Sequence, residues 1–138
     1  MKKDVSVTIN TTSIPKGDEP QTISTEAKGT VYQKDGLLYI TYKENPEEFG
    51  KTLTTVKIKN DRVELIRTGN VSSRLVFIKD KPYESSYNTP YGSLPLKISV
   101  FDMDISAGGD AGTVFMKYSL DLAGDQTENN FTLKYKCI

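Results

Sequence analysis

The stretch that decides the fold is residues 23–44, ISTEAKGTVYQKDGLLYITYKE. Its first half alternates small or apolar residues with polar ones, and its second half is rich in Leu, Tyr and Ile, as is typical of two β-strands. Asp35-Gly36 lies between the halves, and because both positions tolerate positive φ the pair predicts a tight hairpin turn. The two strands should therefore pair antiparallel.

Similar patterns extend over the rest of the chain. Val5, Val7 and Ile9 alternate with polar neighbours and predict a first strand at residues 3–12. Further β-rich segments follow, among them residues 73–79, and turn residues separate them. The sequence contains 34 Val, Ile and Thr residues against 14 Ala and Leu residues. This excess of β-branched side chains also favours strands over helices.

About nine or ten strands are predicted, joined by short connections and without a helical stretch. A flat open sheet of this size would expose unpaired edges, so closure into a barrel or folding into a two-layer sandwich is expected. Sequential hairpins favour the barrel. We predict an all-β fold in which residues 1–138 form a single domain, an antiparallel meander β-barrel of about 8–10 strands.

A change of parity marks residues 94–105. Apolar residues occupy every second position up to Val100 and then continue from Phe101 through Met103 and Ile105. Since one inserted residue changes which face of a strand points inward, the pattern predicts a β-bulge or sharp bend near Val100 and Phe101.

Composition excludes several classes of function. Lys plus Arg equals Asp plus Glu at 18 each, so no global field would attract a nucleic acid or an anionic membrane surface. No apolar run reaches the length of a membrane-spanning helix, and the alternating start does not resemble a signal peptide. The single cysteine cannot close an internal disulfide, which favours a reduced, cytoplasmic setting.

Catalytic and metal sites lack their usual residues. The chain contains no histidine, which removes the usual general base and the usual metal ligand. Cys137 alternates with apolar residues on a predicted strand face and is interpreted as a small buried hydrophobe. Asp102 and Asp104 share a strand face but more simply form its solvent side. No cofactor and no metal site is predicted.

The three arginines lie within residues 62–74. Arg67 shares strand parity with Leu65, so its side chain is predicted to point toward the apolar face. If Arg67 faces Arg74, both guanidinium groups can bind a carboxylate or phosphate; a register one residue shorter pairs Arg67 with Ser73 instead. The other interpretation is an arginine at a barrel rim, paired with a glutamate or a backbone carbonyl.

Residues 87–92, YNTPYG, form the most distinctive local motif. Pro90 and Gly92 fit the second and fourth positions of a type I turn that starts at Thr89. Tyr87 and Tyr91 would then lie close to the turn. They can line the mouth of a pocket, although tyrosines that pack at a rim are the more common case.

These motifs carry a family resemblance. With Arg67-Thr68-Gly69 after a strand and the YNTPYG turn at residues 87–92, nearly the whole chain resembles the uncharacterised bacterial YwiB-like family, described as calycin-like β-barrels. The resemblance implies a closed antiparallel barrel similar to lipocalins and fatty-acid-binding proteins. It implies no ligand, because the function of that family is itself unassigned.

The leading hypothesis is a non-enzymatic, cytoplasmic binding module that accepts a small, anionic and partly apolar molecule at the barrel mouth. Arg67 would anchor the acid group, Arg74 would assist, and Tyr87 and Tyr91 would line the entrance. The alternative is a structural or interaction protein with a filled barrel, in which an exposed edge or a tyrosine-rich face recognises a second copy, giving a homodimer, or another protein. An enzyme ranks third, because no catalytic constellation is recognisable.

Overall fold

The computed structural model describes residues 2–15, 17–44, 51–59, 62–69, 72–89, 91–108 and 110–138, with the backbone alone described at 87–89. Within these ranges the chain forms strands and turns and no helix. The strands are β1 (Lys3–Pro15), β2 (Gln21–Lys34), β3 (Leu37–Lys43), β4 (Thr52–Lys59), β5 (Arg62–Gly69), β6 (Ser73–Ile78), β7 (Tyr83–Thr89), β8 (Gly92–Ala107), β9 (Ala111–Leu122) and β10 (Asp125–Cys137).

All ten strands belong to one sheet, in the order β6-β5-β4-β3-β2-β1-β10-β9-β8-β7. Every ladder in this order is antiparallel. Strands that follow one another in sequence are neighbours in the sheet, and β1 pairs with β10. This arrangement confirms the predicted all-β antiparallel meander. The first strand continues to Pro15, three residues beyond its predicted end.

The β2–β3 hairpin has the predicted turn. Lys34 pairs with Leu37, so two residues make the connection. Asp35 has a φ of 54° and Gly36 a φ of 77°. Both angles lie in the left-handed region, as a two-residue turn requires if it is to match the right-handed twist of the flanking strands. Asn60-Asp61, between two other β-rich segments, also predicts a close hairpin turn, and these two residues lie outside the described ones.

The predicted β-bulge lies between β8 and β9. Val100 pairs with Tyr118 and Asp102 pairs with Lys117, so Phe101 is an extra residue without a partner in the ladder. Phe101 is 56% exposed, and the buried positions resume at Met103. The predicted bulge is therefore confirmed, and the bulged residue Phe101 itself faces outward.

The sheet curls until β6 approaches β8. An isolated parallel bridge joins Lys79, just beyond β6, to Val100 of β8. Nine strands therefore surround the interior, and an up-and-down barrel with an odd number of strands must close on a parallel pair. Among the described strands, β7 pairs with β8 and with no other, and it lies outside this closure. The result is a nearly closed barrel.

The interior is a packed apolar core. Side chains that alternate along the strands meet there, and Phe77 of β6 contacts Tyr118 of β9 edge to face with ring centroids 4.7 Å apart. The strands β6 and β9 lie on either side of β8 where the sheet closes, so this contact packs the core at the closure. The largest fully buried side chains in the described residues include Phe77, Ile40, Ile98, Met116 and Leu133.

Candidate ligand-binding pocket

Four side chains form a polar row on the inner face of the barrel. Tyr42 pairs with Thr54, Thr54 with Arg67, and Arg67 with Ser73, so these residues lie in register across β3 to β6. Each shares strand parity with buried apolar residues, which places it on the inner face. The parity of Arg67 thus predicts the face on which the structure places it. We call Tyr42, Thr54, Arg67 and Ser73 the inner row.

Glu44 joins the inner row just after β3 ends. Its side chain is only 4% exposed, and the Thr54 hydroxyl donates a hydrogen bond of 2.6 Å to its Oε1 atom. The Nε atom of Arg67 lies 3.8 Å from the same oxygen. A buried charge needs partners of this kind, because removing a carboxylate from water is costly. Glu44 and Arg67 therefore form a buried ion pair.

Two tyrosine hydroxyls lie near this pair and stay protonated. Burial raises the pKa of Tyr42, and the charge of Glu44 and a hydrogen bond to it raise that pKa further. Burial raises the pKa of Tyr118 to about 12, although the nearby positive charge of Arg67 acts in the opposite direction. Both phenols are therefore neutral hydrogen-bonding groups at physiological pH.

Gly29 of β2 makes room beside Tyr42. The two residues are paired across β2 and β3. A Cβ atom at position 29 would lie 2.2 Å from the carbonyl oxygen of Thr41 and 3.2 Å from the Cβ of Tyr42. Only glycine allows this close approach of the strands, which holds Tyr42 at its place in the inner row.

These groups line a cavity at the end of the barrel opposite the Asp35-Gly36 hairpin. Its volume is about 330 Å³. Tyr42, Glu44, Arg67 and Tyr118 form its polar wall. The rest is mainly apolar and includes Ile9, Leu65, Leu75, Leu96, Leu120 and Phe131. We call this cavity the mouth pocket.

Arg74 lies on the opposite face of the sheet. Because Arg67 pairs with Ser73, and Ile66 with Arg74, the register is the shorter one, and the interpretation that Arg74 faces Arg67 is wrong. The Nε atom of Arg74 donates a 3.0 Å hydrogen bond to Glu64 Oε1, and its Nη2 atom contacts the same oxygen. Arg74 is 57% exposed in its side chain and does not line the mouth pocket.

The YNTPYG motif lies at the tip of the β7–β8 hairpin. Thr89 pairs with Gly92, so the two paired positions are separated by two residues. Gly92 has a φ of 129°, which favours glycine. Tyr91 is 99% exposed and is not part of the mouth pocket lining. The backbone of Tyr87 pairs with Leu94, while its side chain and Pro90 lie outside the described residues.

Sequence reasoning identified Arg67 but not its surroundings. Tyr42, Glu44, Thr54 and Tyr118 were not predicted as site residues. A signal for three of them exists, because Tyr42 and Glu44 continue the parity of the buried Leu38 and Ile40, and Thr54 continues that of the buried Val56. Polar residues that extend a buried alternation toward a strand end are candidates for a barrel mouth.

The other candidate groups lie elsewhere. Asp102 and Asp104 are exposed, and the described residues contain no cluster of three or more His, Cys, Asp or Glu side chains arranged to hold a metal ion. Cys137 is half-buried, with its Sγ atom 3.8 Å from Asp110 Oδ1. Among the described residues, no helix has the length and apolar character needed to cross a membrane.

Comparisons with known proteins place the chain in a family. The model of a domain of unknown function (DUF1934) matches residues 7–134. The uncharacterized beta-barrel protein YwiB of Bacillus subtilis (strain 168) is 27% identical over 139 residues, which cover 99% of this chain and 96% of YwiB. The crystal structure of ywiB protein from Bacillus subtilis covers 99% of this chain and 93% of its own, with a TM-score of 0.89 at 21% identity. The predicted resemblance is thereby confirmed.

Proposed function

The chain belongs to the DUF1934 family, and we propose that its barrel binds a small molecule with an acidic head group and an apolar body in the mouth pocket. The role is binding, without a catalytic step. The observation that carries the proposal is Arg67, a cation in the wall of a cavity that is otherwise largely apolar. Ligand sites typically combine an apolar lining with a few polar groups that orient the ligand.

The orientation of Arg67 supports its role as an anchor. Its Nε atom is buried and lies on the side of Glu44, whereas 20% of the side chain is exposed. A guanidinium group presents several N–H donors in a fixed plane, so one edge can contact Glu44 while another contacts a ligand. A carboxylate is the acid group that best matches this planar arrangement.

The size and lining of the mouth pocket limit the apolar part of the ligand. About 330 Å³ lies at the small end of the range for ligand cavities, roughly 300–1,000 Å³. Leu65, Leu75, Leu96, Leu120 and Phe131 contribute branched or aromatic surface to it. A short acyl chain or a single ring system would gain from burial against these side chains. Octanoate is therefore a suitable first probe.

The test is calorimetric titration of octanoate into three proteins. Wild type and Arg74→Met should bind octanoate with equal affinity, because Arg74 lies on the outer face and away from the pocket. Arg67→Met keeps the length of the side chain but removes the charge, and we expect a loss of at least about tenfold in affinity, the size of one charged hydrogen bond. Equal binding by wild type and Arg67→Met would refute the proposed anchor.

A second candidate function is self-association through β7. In the described part of the chain no strand pairs with the outer edge of β7, which ends the sheet. Exposed strand edges can pair with a second copy, and a charge on the edge discourages this. We expect light scattering after size exclusion to show a dimer of wild type and a monomer of Ser86→Lys. A monomeric wild type would exclude this candidate.

A further inference from the structure

We infer that an acidic ligand enters the mouth pocket together with one proton, which its carboxyl group and Glu44 then share. This inference rests on the proposed function and concerns the form in which the ligand binds. It follows from the position of Glu44, whose carboxylate already lies 3.8 Å from the Nε atom of Arg67. A ligand carboxylate that contacts Arg67 would therefore be a second acid at the same guanidinium group.

Two carboxylates and one guanidinium would leave a net negative charge in a site removed from water. Glu44 is 4% exposed in its side chain and cannot move its charge into solvent without breaking its hydrogen bond from Thr54. Like charges at short distance and burial both favour the protonated form of a carboxyl group. When two carboxyl groups share one site, a single proton between them relieves the repulsion. That proton comes from solvent, and no covalent bond between heavy atoms changes.

The other titratable groups at the pocket do not provide or accept this proton. Among the described lining residues they are Tyr42 of β3, Arg67 of β5 and Tyr118 of β9. Both tyrosines already carry their protons, and the pKa of each is raised. An arginine does not lose its proton in proteins. Among the described lining residues, the exchange is therefore confined to Glu44 and the ligand.

Proton uptake gives the site a chemical preference. A carboxylic acid has a carbonyl oxygen for Arg67 and a hydroxyl that can donate to Glu44. A neutral carboxamide has the same pattern, with its N–H in place of the hydroxyl. Octanamide should therefore bind without proton uptake and without pH dependence. Octanoate should bind about tenfold more weakly for each unit of pH rise between about pH 6 and 8, because one proton is taken up from solvent.

The experiment is titration calorimetry at about pH 7 in phosphate and in Tris, whose different ionisation enthalpies report the number of protons exchanged. Wild type should take up about one proton per octanoate bound and none per octanamide. In Glu44→Gln the number of protons taken up per octanoate bound should fall to zero. Its affinity for octanamide reports whether the pocket is still formed. Glu64→Gln, the same change on the outer face, should behave as wild type.

The outcomes separate the two levels of the proposal. Octanoate binding by wild type without proton uptake, and with equal affinity at about pH 6 and 8, would overturn this inference and leave the proposed function standing. Unchanged proton uptake in a Glu44→Gln protein that still binds octanamide would also overturn it. Failure of octanoate to bind at any pH between about 5 and 8 would overturn both the inference and the proposed function.

Discussion

Two arginine–glutamate clusters lie on opposite faces of the same part of the sheet. The inner pair is Arg67 with Glu44, where Nε and Oε1 are 3.8 Å apart and the Glu44 side chain is 4% exposed. In the outer cluster, Arg74 and Arg62 both contact Glu64, and the Arg74 Nε–Oε1 distance is 3.0 Å. Both outer arginines are about half exposed. The outer cluster thus has the shorter contacts and the inner one the greater burial.

Burial, more than distance, decides what each cluster contributes. Water screens the outer charges, so an exposed pair of this kind stabilises a protein by about 0–1 kcal/mol. Inside the barrel, removing one partner leaves the other charge without compensation, and such changes typically cost about 3–5 kcal/mol. The inner pair is therefore expected to be sensitive to mutation, even though buried ion pairs often add no stability over well-packed apolar residues of the same shape.

The largest expected effect is that of Arg67→Met. It leaves the Glu44 carboxylate buried and without its cation, so we expect the free energy of unfolding to fall by about 3 kcal/mol. Urea denaturation at neutral pH measures it. The double variant Arg67→Met with Glu44→Gln removes both charges and should recover most of this loss. A double variant as unstable as the single one would show that Arg67 acts through packing alone.

Thr54→Val is expected to have the next largest effect. Thr54 is fully buried. The change keeps the shape of the side chain but removes the hydroxyl that donates a 2.6 Å hydrogen bond to Glu44. We expect a loss of about 1–2 kcal/mol, because a buried carboxylate would lose one of its hydrogen bonds. Thr55→Val, one residue along and on the other face of β4, is the matched control. Equal losses in the two variants would contradict the assigned role of the Thr54 hydroxyl.

Much of the fold is predictable because strand patterns are local. Alternation over β1, the Asp35-Gly36 turn and the change of parity at Val100 each follow from a few neighbouring residues. The parallel closure between β6 and β8 depends on how far the whole sheet coils, which no short segment encodes. Which residue forms the bulge was not predictable for a related reason, since a parity change near Val100 and Phe101 does not reveal which residue is the extra one.

The mouth pocket was only partly predictable. The inward direction of Arg67 follows from its parity with Leu65, but the position of Arg74 depended on whether Arg67 pairs with Arg74 or Ser73. The pairing depends on the geometry of the connection between β5 and β6, and the composition of residues 68–72 does not determine that geometry. Glu44 was passed over because it begins a stretch rich in acidic residues, which usually indicates a solvent-exposed loop. Its burial requires β3, β4 and β5 to be seen together.

The outer cluster should respond weakly and in a pH-dependent way to Glu64→Gln. Burial alone would raise the pKa of Glu64, but the hydrogen bond and charge of Arg74, with help from Arg62 and Lys57, hold it below its ordinary value. The carboxylate therefore stabilises the fold above its unfolded-state pKa, and this contribution is lost as the pH falls through the folded-state pKa. We expect the free energy of unfolding of wild type to exceed that of Glu64→Gln by at most about 1 kcal/mol at neutral pH, and this advantage to shrink as the pH falls and to vanish once Glu64 is protonated in the folded protein.

Salt gives an independent measurement of the same difference. In about 1 M NaCl the advantage of wild type over Glu64→Gln at neutral pH should shrink, because screening acts strongly on exposed charges. The loss caused by Arg67→Met should persist at that salt concentration, since the inner pair is buried. Thermal or urea unfolding of wild type and both variants at two salt concentrations measures these stability differences. Equal salt sensitivity of the two variants would show that the clusters differ less than their burial indicates.

The smallest expected effect is that of Lys57→Met. The Lys57 ammonium lies 5.6 Å from the centroid of the Tyr39 ring, and Tyr39 stacks on Tyr32 at 4.8 Å. On the far side of this stack the Lys2 ammonium lies 5.3 Å from the Tyr32 ring, which makes Lys2→Met the matched control. Each variant should lose about 0.5 kcal/mol from its exposed cation–π contact.

Of these two lysines, Lys57 also lowers the pKa of Glu64. Lys57→Met should therefore show an additional loss of stability at neutral pH. This additional loss should shrink as the pH falls and Glu64 becomes protonated, because the charge interaction then no longer exists. Urea unfolding of both variants at neutral pH and at successively lower pH values measures the difference. If Lys57→Met and Lys2→Met lose equal stability at neutral pH, Lys57 acts on the tyrosine stack alone, and the outer cluster consists of Glu64 with its two arginines.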